Sequence, residues 1–217
     1  MNNPVSNYNE LRLGAASDVD EMVRLERLVW PPEICASRES FNSRLAHFSP
    51  GVIGAYVEDQ LVGLSTSMMI TWTPGEVLKS WEAVTDNGTI RSHRPDGNAL
   101  YVVSIGAEKL SNVPGIGAAL IQEQVSLGQR LGLEHIVLGS RVPGYRDWNR
   151  LTGGGLAEYL SQTNEAGLSL DPLIRFFTRQ GLTIQRTIHG YMQDDPESLN
   201  YGVIMSKALR ASLATGS

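Results

Sequence analysis

Two stretches of the sequence bring together residue types able to do chemistry. The first is "SNVPGIGAALIQEQ", residues 111–124, where Gly115 and Gly117 open a helical pattern downstream of the apolar run "LYVVSI" at 100–105. A helix N-terminus carries unpaired amides and the positive end of the helix dipole, so a glycine turn ahead of it is suited to a phosphate. The lysine and hydroxyl of a P-loop are missing, which argues against a nucleoside triphosphate. The turn also stands too far from its strand, and too deep in the chain, for a dinucleotide fingerprint. The bland alternative is a turn that merely lets a helix pack closely on a sheet. The second stretch, "TIHGYMQDD", sets His189 and Tyr191 beside a strand end, with Asp194, Asp195 and Glu197 close behind. An imidazole titrates near neutrality, and a phenol donates a proton to a strongly basic leaving group. Either residue is also a common packing or surface group.

Other reactive types are sparse. Cys35 is the single cysteine, which excludes an intramolecular disulfide and a multi-cysteine zinc site and leaves a thiol whose expected role is packing. No metal site is expected. Trp30, Trp72, Trp81 and Trp148 raise the question of an aromatic cage, and Trp72 and Trp81 flank a long polar connection, where an acceptor pocket would need walls. Net charge is −5 with acids and bases interspersed, so no basic stripe points to nucleic acid or an anionic membrane. No apolar run reaches membrane-spanning length and the start lacks a signal-peptide pattern, so the expected location is cytoplasmic.

These residues have to be positioned by one domain over 1–217, since the composition does not shift along the chain and 41% hydrophobic residues suffice for a single core. A strand at "ELRLGAAS" leads into a helix at "DVDEMVRLERLVW", with Ser17 as its start signal and Val19, Met22, Val23, Leu25, Leu28 and Val29 as its apolar face. Pro31-Pro32 ends that helix, and "SRESFNSRLAHF" forms a second. "VIGAYVE" and "LVGLSTSMM" read as an antiparallel hairpin turning at Asp59-Gln60. Residues 73–98 form a long polar insertion with a helical segment near "VLKSWEAV", and residues 145–170 form a second, glycine-rich one. The helix from Ile116 to Leu131 joins the strand at 100–105 to "HIVLGS" as a crossover, which predicts parallel strands there. A helix at "DPLIRFFTRQ" closes at Gly181, and strands "LTIQRTI" and "YGVIMSK" complete an α+β order of elements.

The sequence N-x-x-G-x-G after a strand, in this order of elements, resembles the acetyl-CoA signature of the GNAT acyltransferase superfamily. Further blocks, "WEAVTDNGTIRSHRPDGNALY", "GSRVPGY", "FFTRQGL" and "DDPESLNYGVIM", are similar to the GNAT module found fused to carbon–nitrogen hydrolases, over residues 11–207. The resemblance implies a mixed, mainly antiparallel, splayed sheet of about seven strands flanked by helices. It implies acetyl-CoA or another acyl-CoA as cosubstrate, its pyrophosphate on Asn112, Val113, Gly115, Ile116, Gly117 and Ala118 and its pantetheine arm on Val103, Ser104 and Ile105. It also implies transfer of the acyl group to a small amine by direct attack, with a backbone N–H at Ile105 or Gly106 stabilising the carbonyl oxygen.

Four positions depart from the family's pattern. Asn112 stands where Arg or Gln is usual, Pro114 removes an amide from the binding loop, Ser104 stands where a glutamate often relays the amine's proton, and Phe177 stands where a tyrosine often protonates the thiolate. Catalysis is therefore expected from His189 as base and Tyr191 as acid, with Trp72, Trp81 and Tyr145 binding the acceptor. Two other readings stand beside N-acylation. GNAT-like loading domains decarboxylate malonyl-CoA and pass the acyl group to a carrier protein, and Trp30 and His189 resemble residues of theirs; the second alternative is a non-catalytic CoA-binding module. Monomer and homodimer both stay open.

Overall fold

The computed structural model of the protein describes residues 12–109 and 113–209. Among the described residues seven strands form one sheet in the order β1-β2-β3-β4-β5-β7-β6, with β1 at Arg12–Ala15, β2 at Ile53–Val57, β3 at Gln60–Ile70, β4 at Ala99–Ala107, β5 at His135–Ser140, β6 at Thr183–His189 and β7 at Tyr201–Ala208. Every pairing is antiparallel except β4 with β5. That parallel pair is held over only Ala99–Tyr101 against His135–Val137, after which the two strands part. The mixed, mainly antiparallel sheet and its central splay are as expected, and the crossover helix Ile116–Arg130 accounts for the parallel pair.

Helices cover both faces. Helices α1 (Val19–Val29) and α2 (Arg38–Phe48) pack on one side of β3, with Met22, Leu25, Phe41 and Leu64 in their core. The crossover helix, α4, packs on the other, where Ile116 and Leu120 meet the flat surface left by Gly63. Residues alternate along β3 accordingly: Ser65 faces α4 and accepts a hydrogen bond from buried Gln124, whereas Thr66 faces α2.

Local chemistry moves several expected boundaries. The side chain that caps α1 is Asp18, not Ser17; it accepts from the amides of Asp20 and Glu21. Leu28 is exposed, and the buried face of α1 runs through Met22, Leu25 and Glu26. Leu131, which its helical spacing from Leu120 and Leu127 predicts on the inward face, is exposed as well. The hairpin turns at Glu58 and Asp59, both at positive φ, one residue earlier than read from the sequence. The insertion at 73–98 holds a short helix, α3 (Trp81–Thr85), and the one at 145–170 folds as α5 (Tyr145–Thr152) and α6 (Leu156–Ser161). Helix α7 (Pro172–Arg179) starts at Asp171, whose carboxylate accepts from the Leu173 and Ile174 amides. Among the described residues no helix is long and apolar enough to cross a membrane.

Candidate active site

A slipped register on β4 builds the first wall of the site. Thr66 pairs with Ser104 but Ser67 pairs with Val102, so Val103 is the extra residue of a β-bulge. The bulge turns the Val103 carbonyl out of the ladder, where it accepts the Trp81 indole N–H at 3.0 Å. Ser104 and Thr66 stand directly opposite, and their hydroxyls hydrogen-bond at 2.8 Å. Behind them Arg44 reaches in from α2, donating to Thr66 at 3.2 Å and to Ser104 at 3.4 Å.

Where β4 and β5 part, a cleft of about 370 Å³ opens. Its walls come from α1 and the residue after it (Glu26, Trp30), α2 (Arg44), the α3 insertion (Trp81, Glu82), β4 (Val103 to Ile105) and β5 (Gly139, Ser140). Glu26 is held by the Ala36 amide on one oxygen, and burial raises its pKa against the opposing effects of that hydrogen bond and of Arg44. Glu82 accepts the Gln193 amide on Oε1, while its Oε2 is buried without a hydrogen-bond partner. Cys35 also lines the cleft; its thiol donates to the Glu26 and Trp30 carbonyls, and burial raises its pKa, so it is a packed and protonated thiol.

A second, open groove runs from the end of β4 to the glycine turn, past Ala107, Lys109, Val113, Gly115 and Gly117. Gly115 is at φ +85°, with open space where a Cβ would stand, and it caps α4 without any side chain. The first intrahelical bond of α4 is from Ala119 N–H to Gly115 O, so the amides of Ile116, Gly117 and Ala118 precede the helical ladder. The structure thus brings Val113, Gly115, Ile116 and Gly117 to one groove and Val103, Ser104, Ile105 and Trp81 to the cleft, with Ala118 in the adjoining first turn of α4. Asn112 lies outside the described residues.

The remaining expected residues are elsewhere. Tyr191, read as an acid, is completely buried beneath Gly139, with its hydroxyl bonded to that of Tyr101. Burial raises both phenols' pKa. His189, read as a base, is exposed at the end of β6, edge-on to Tyr201, and does not line the cleft. Trp72, placed in the acceptor pocket from sequence, is buried edge-on against His135, and Tyr145 is buried against Tyr159 and Tyr201. Of the acidic run, Asp194 lines the cleft, whereas Asp195 and Glu197 are engaged by Arg141.

Glu26, Arg44 and Glu82 were not singled out from the sequence. A signal for two of them was present. Glu26 shares its helix face with Met22 and Leu25, and Arg44 shares its own with Phe41 and Phe48, so each is a charge set into an apolar stripe.

Comparison with known proteins agrees with this architecture. The chain is 30% identical over 205 residues to an uncharacterized N-acetyltransferase of Bacillus subtilis, YkwB, covering 93% of this chain and 86% of that one. It is 29% identical over 189 residues to the probable hydrolase YhcX of the same organism, matching 87% of this chain but only 36% of YhcX. Among solved structures, the loading GNATL domain of CurA from Lyngbya majuscula superposes with a TM-score of 0.81 at 25% identity, over 92% of this chain and 98% of that one. The GphF GNAT-like decarboxylase in complex with isobutyryl-CoA gives 0.78 at 25% identity, over 92% and 100%. No protein-family model matches. With a curated N-acetyltransferase relative along nearly the whole chain and the splayed sheet in place, the chain belongs to the GNAT acyltransferase superfamily.

Proposed function

We propose that the protein acts on an acyl-CoA thioester in the manner of the GNAT-like loading and decarboxylase domains. The pyrophosphate of CoA rests on the amides of Ile116, Gly117 and Ala118, with Val113 beside it, and the pantetheine arm lies along Val103, Ser104 and Ile105 on the edge of β4 that β5 has left. The acyl group then projects into the cleft. Lys109, exposed at the groove, adds a positive charge for the phosphates.

The observation that carries this reading is the residue set beside the acyl position. Ser104 is backed by a buried guanidinium, so this wall stabilises negative charge and does not accept a proton. That favours an acyl chain or intermediate that carries negative charge, as a malonyl-type thioester and its enolate do. In decarboxylation of a malonyl-type thioester, the bond to the carboxyl carbon breaks, its electron pair enters the thioester as an enolate, carbon dioxide leaves and the α-carbon takes up a proton. The remaining acyl group is then available to a carrier-protein thiol.

A second reading, N-acylation of a small amine, is favoured by Glu82. A buried carboxylate oxygen with no partner is placed to attract an ammonium group and take its proton. The match to the probable hydrolase YhcX spans 36% of that protein and carries no hydrolytic activity to this chain.

The test follows carbon dioxide and free thiol when purified protein is given malonyl-CoA or acetyl-CoA, with and without an amine panel. Carbon dioxide release without amine supports the first reading. Amine-dependent thiol release from acetyl-CoA supports the second, and CoA binding with neither product leaves a non-catalytic CoA module.

A further inference from the structure

Arg44 is an unusual residue to find in a cleft wall, because it is charged, 1% exposed and has no carboxylate within ion-pair distance among the described residues. Its Nε–H donates to the Gly88 carbonyl at 2.8 Å and its Nη1 serves the Thr66 and Ser104 hydroxyls. Nη2 has no acceptor among the described residues. It points past Gly88, where a Cβ would come within 3.2 Å of it, and both residues line the cleft. Phe41 covers the guanidinium from below, its ring centre 5.2 Å from Cζ. Burial lowers the pKa to about 10, with Glu26 opposing through space, so the group is still cationic at neutral pH. A buried cation costs several kcal/mol unless something answers it, and a backbone carbonyl and two hydroxyls answer this one only in part.

We propose that the Arg44 guanidinium, together with the Thr66 and Ser104 hydroxyls, forms a subsite in this cleft for a carboxylate on the substrate. A carboxylate accepts from Nη2 and from the Ser104 hydroxyl, which is free to turn its proton outward when Thr66 donates to it. The ligand group is singly charged: Glu26 and Glu82 line the same cleft and repel a phosphate dianion more strongly than a carboxylate. Two molecules of the proposed reaction present this chemistry, a donor whose acyl chain ends in a carboxylate and an acceptor carrying one, such as an amino acid. The inference rests on the acyl-CoA reading for which molecule enters, and on the geometry of Arg44 alone for the group recognised.

Paired ligands separate the sources. Calorimetry compares malonyl-CoA with acetyl-CoA for the donor. NMR titration, with and without CoA present, compares glycine with methylamine and β-alanine with ethylamine for the acceptor. In one arm the carboxylated ligand is expected to bind about tenfold tighter or more. That preference, read in each protein as the ratio of the two affinities, should collapse in Arg44→Met and weaken in Ser104→Ala. If Arg44→Met does not fold, Ser104→Ala and Thr66→Val, which leave the guanidinium in place, provide the same comparison. Equal binding within both pairs by the wild-type protein overturns the subsite, as does a preference that survives folded Arg44→Met or, failing that variant, survives both hydroxyl variants undiminished. Protein that binds no form of CoA but prefers the carboxylated amines sinks the acyl-CoA reading and keeps the subsite; tight acetyl-CoA binding with no carboxylate preference does the reverse.

Discussion

Replacing Gly117 with glutamate sets two consequences of one position against each other. The residue lies in the first turn of α4, and a Cβ there would approach the Phe176 ring at 3.4 Å, an ordinary van der Waals contact. Gly117→Glu should therefore fold. It removes a helical glycine and places a negative charge at the positive end of the helix dipole, effects worth about 0.5–1 and 0.3–1 kcal/mol in favour of the folded state. The melting temperature should hold or rise. Phosphate binding should do the opposite. A carboxylate about 5 Å from a unit phosphate charge repels it by about 3 kcal/mol at an effective dielectric constant of about 20, close to a hundredfold in affinity. Because the groove is open, salt screens part of this, so the loss should be larger at low ionic strength. Calorimetry with CoA at two salt concentrations, with Gly117→Gln as the uncharged match in size, isolates the electrostatic part. If the Glu and Gln variants bind CoA equally at low salt, the pyrophosphate does not rest on this turn.

Three further outcomes are expected. Gly139→Ala should cost about 1–3 kcal/mol in chemical denaturation, because a methyl group there overlaps the Tyr191 ring, which is itself wedged against Gly202. Tyr191→Phe should cost about 1–3 kcal/mol by leaving the buried Tyr101 hydroxyl unpaired, while exposed His189→Ala should leave both melting temperature and turnover close to wild type. Asp195→Asn should cost about 1–3 kcal/mol at neutral pH, since buried Asp195 loses its charge beside Arg141 while Glu197 still pairs with that guanidinium. Burial opposes ionisation of Asp195, but the Arg141 hydrogen bonds prevail and depress its pKa. Its contribution is thus complete above the ordinary carboxylate value of about 4 and is lost as pH falls through the depressed one, so melting curves of the two proteins should converge in acid.

The order of elements and the parallel pair at the centre were legible because they depend on period and on crossover rules, which survive without knowledge of neighbours. The glycine turn was legible for the same reason, since φ of +85° at Gly115 is a local demand. The catalytic assignments were less so. "HGY" reads as a reactive pair at a strand end, yet which way each side chain faces depends on β7 and β5, and Tyr191 turns inward because Gly139 and Gly202 leave room for its ring. Trp72 and Tyr145 went inside for similar reasons, against partners distant in sequence or in later helices. Arg44 and Glu26 show the converse: the helical spacing held the information, but a charged residue in an apolar stripe is ordinarily read as an interruption of the stripe.

The gap between β4 and β5 divides the chain's chemical tasks between separable stretches of sequence. Under the proposed reading, the donor is gripped by the end of β4 and the first turn of α4, mostly through main-chain amides that a substitution cannot easily alter. What meets the acyl group from the other side comes from α1, α2 and the α3 insertion, through side chains such as Trp30, Arg44, Trp81 and Glu82. A new partner for the acyl group can therefore arise by exchange of those side chains, or by replacement of the insertion between β3 and β4, while the grip on CoA stays intact. Grafting residues 71–98 from a relative of different specificity onto this sheet is a direct use of that separation.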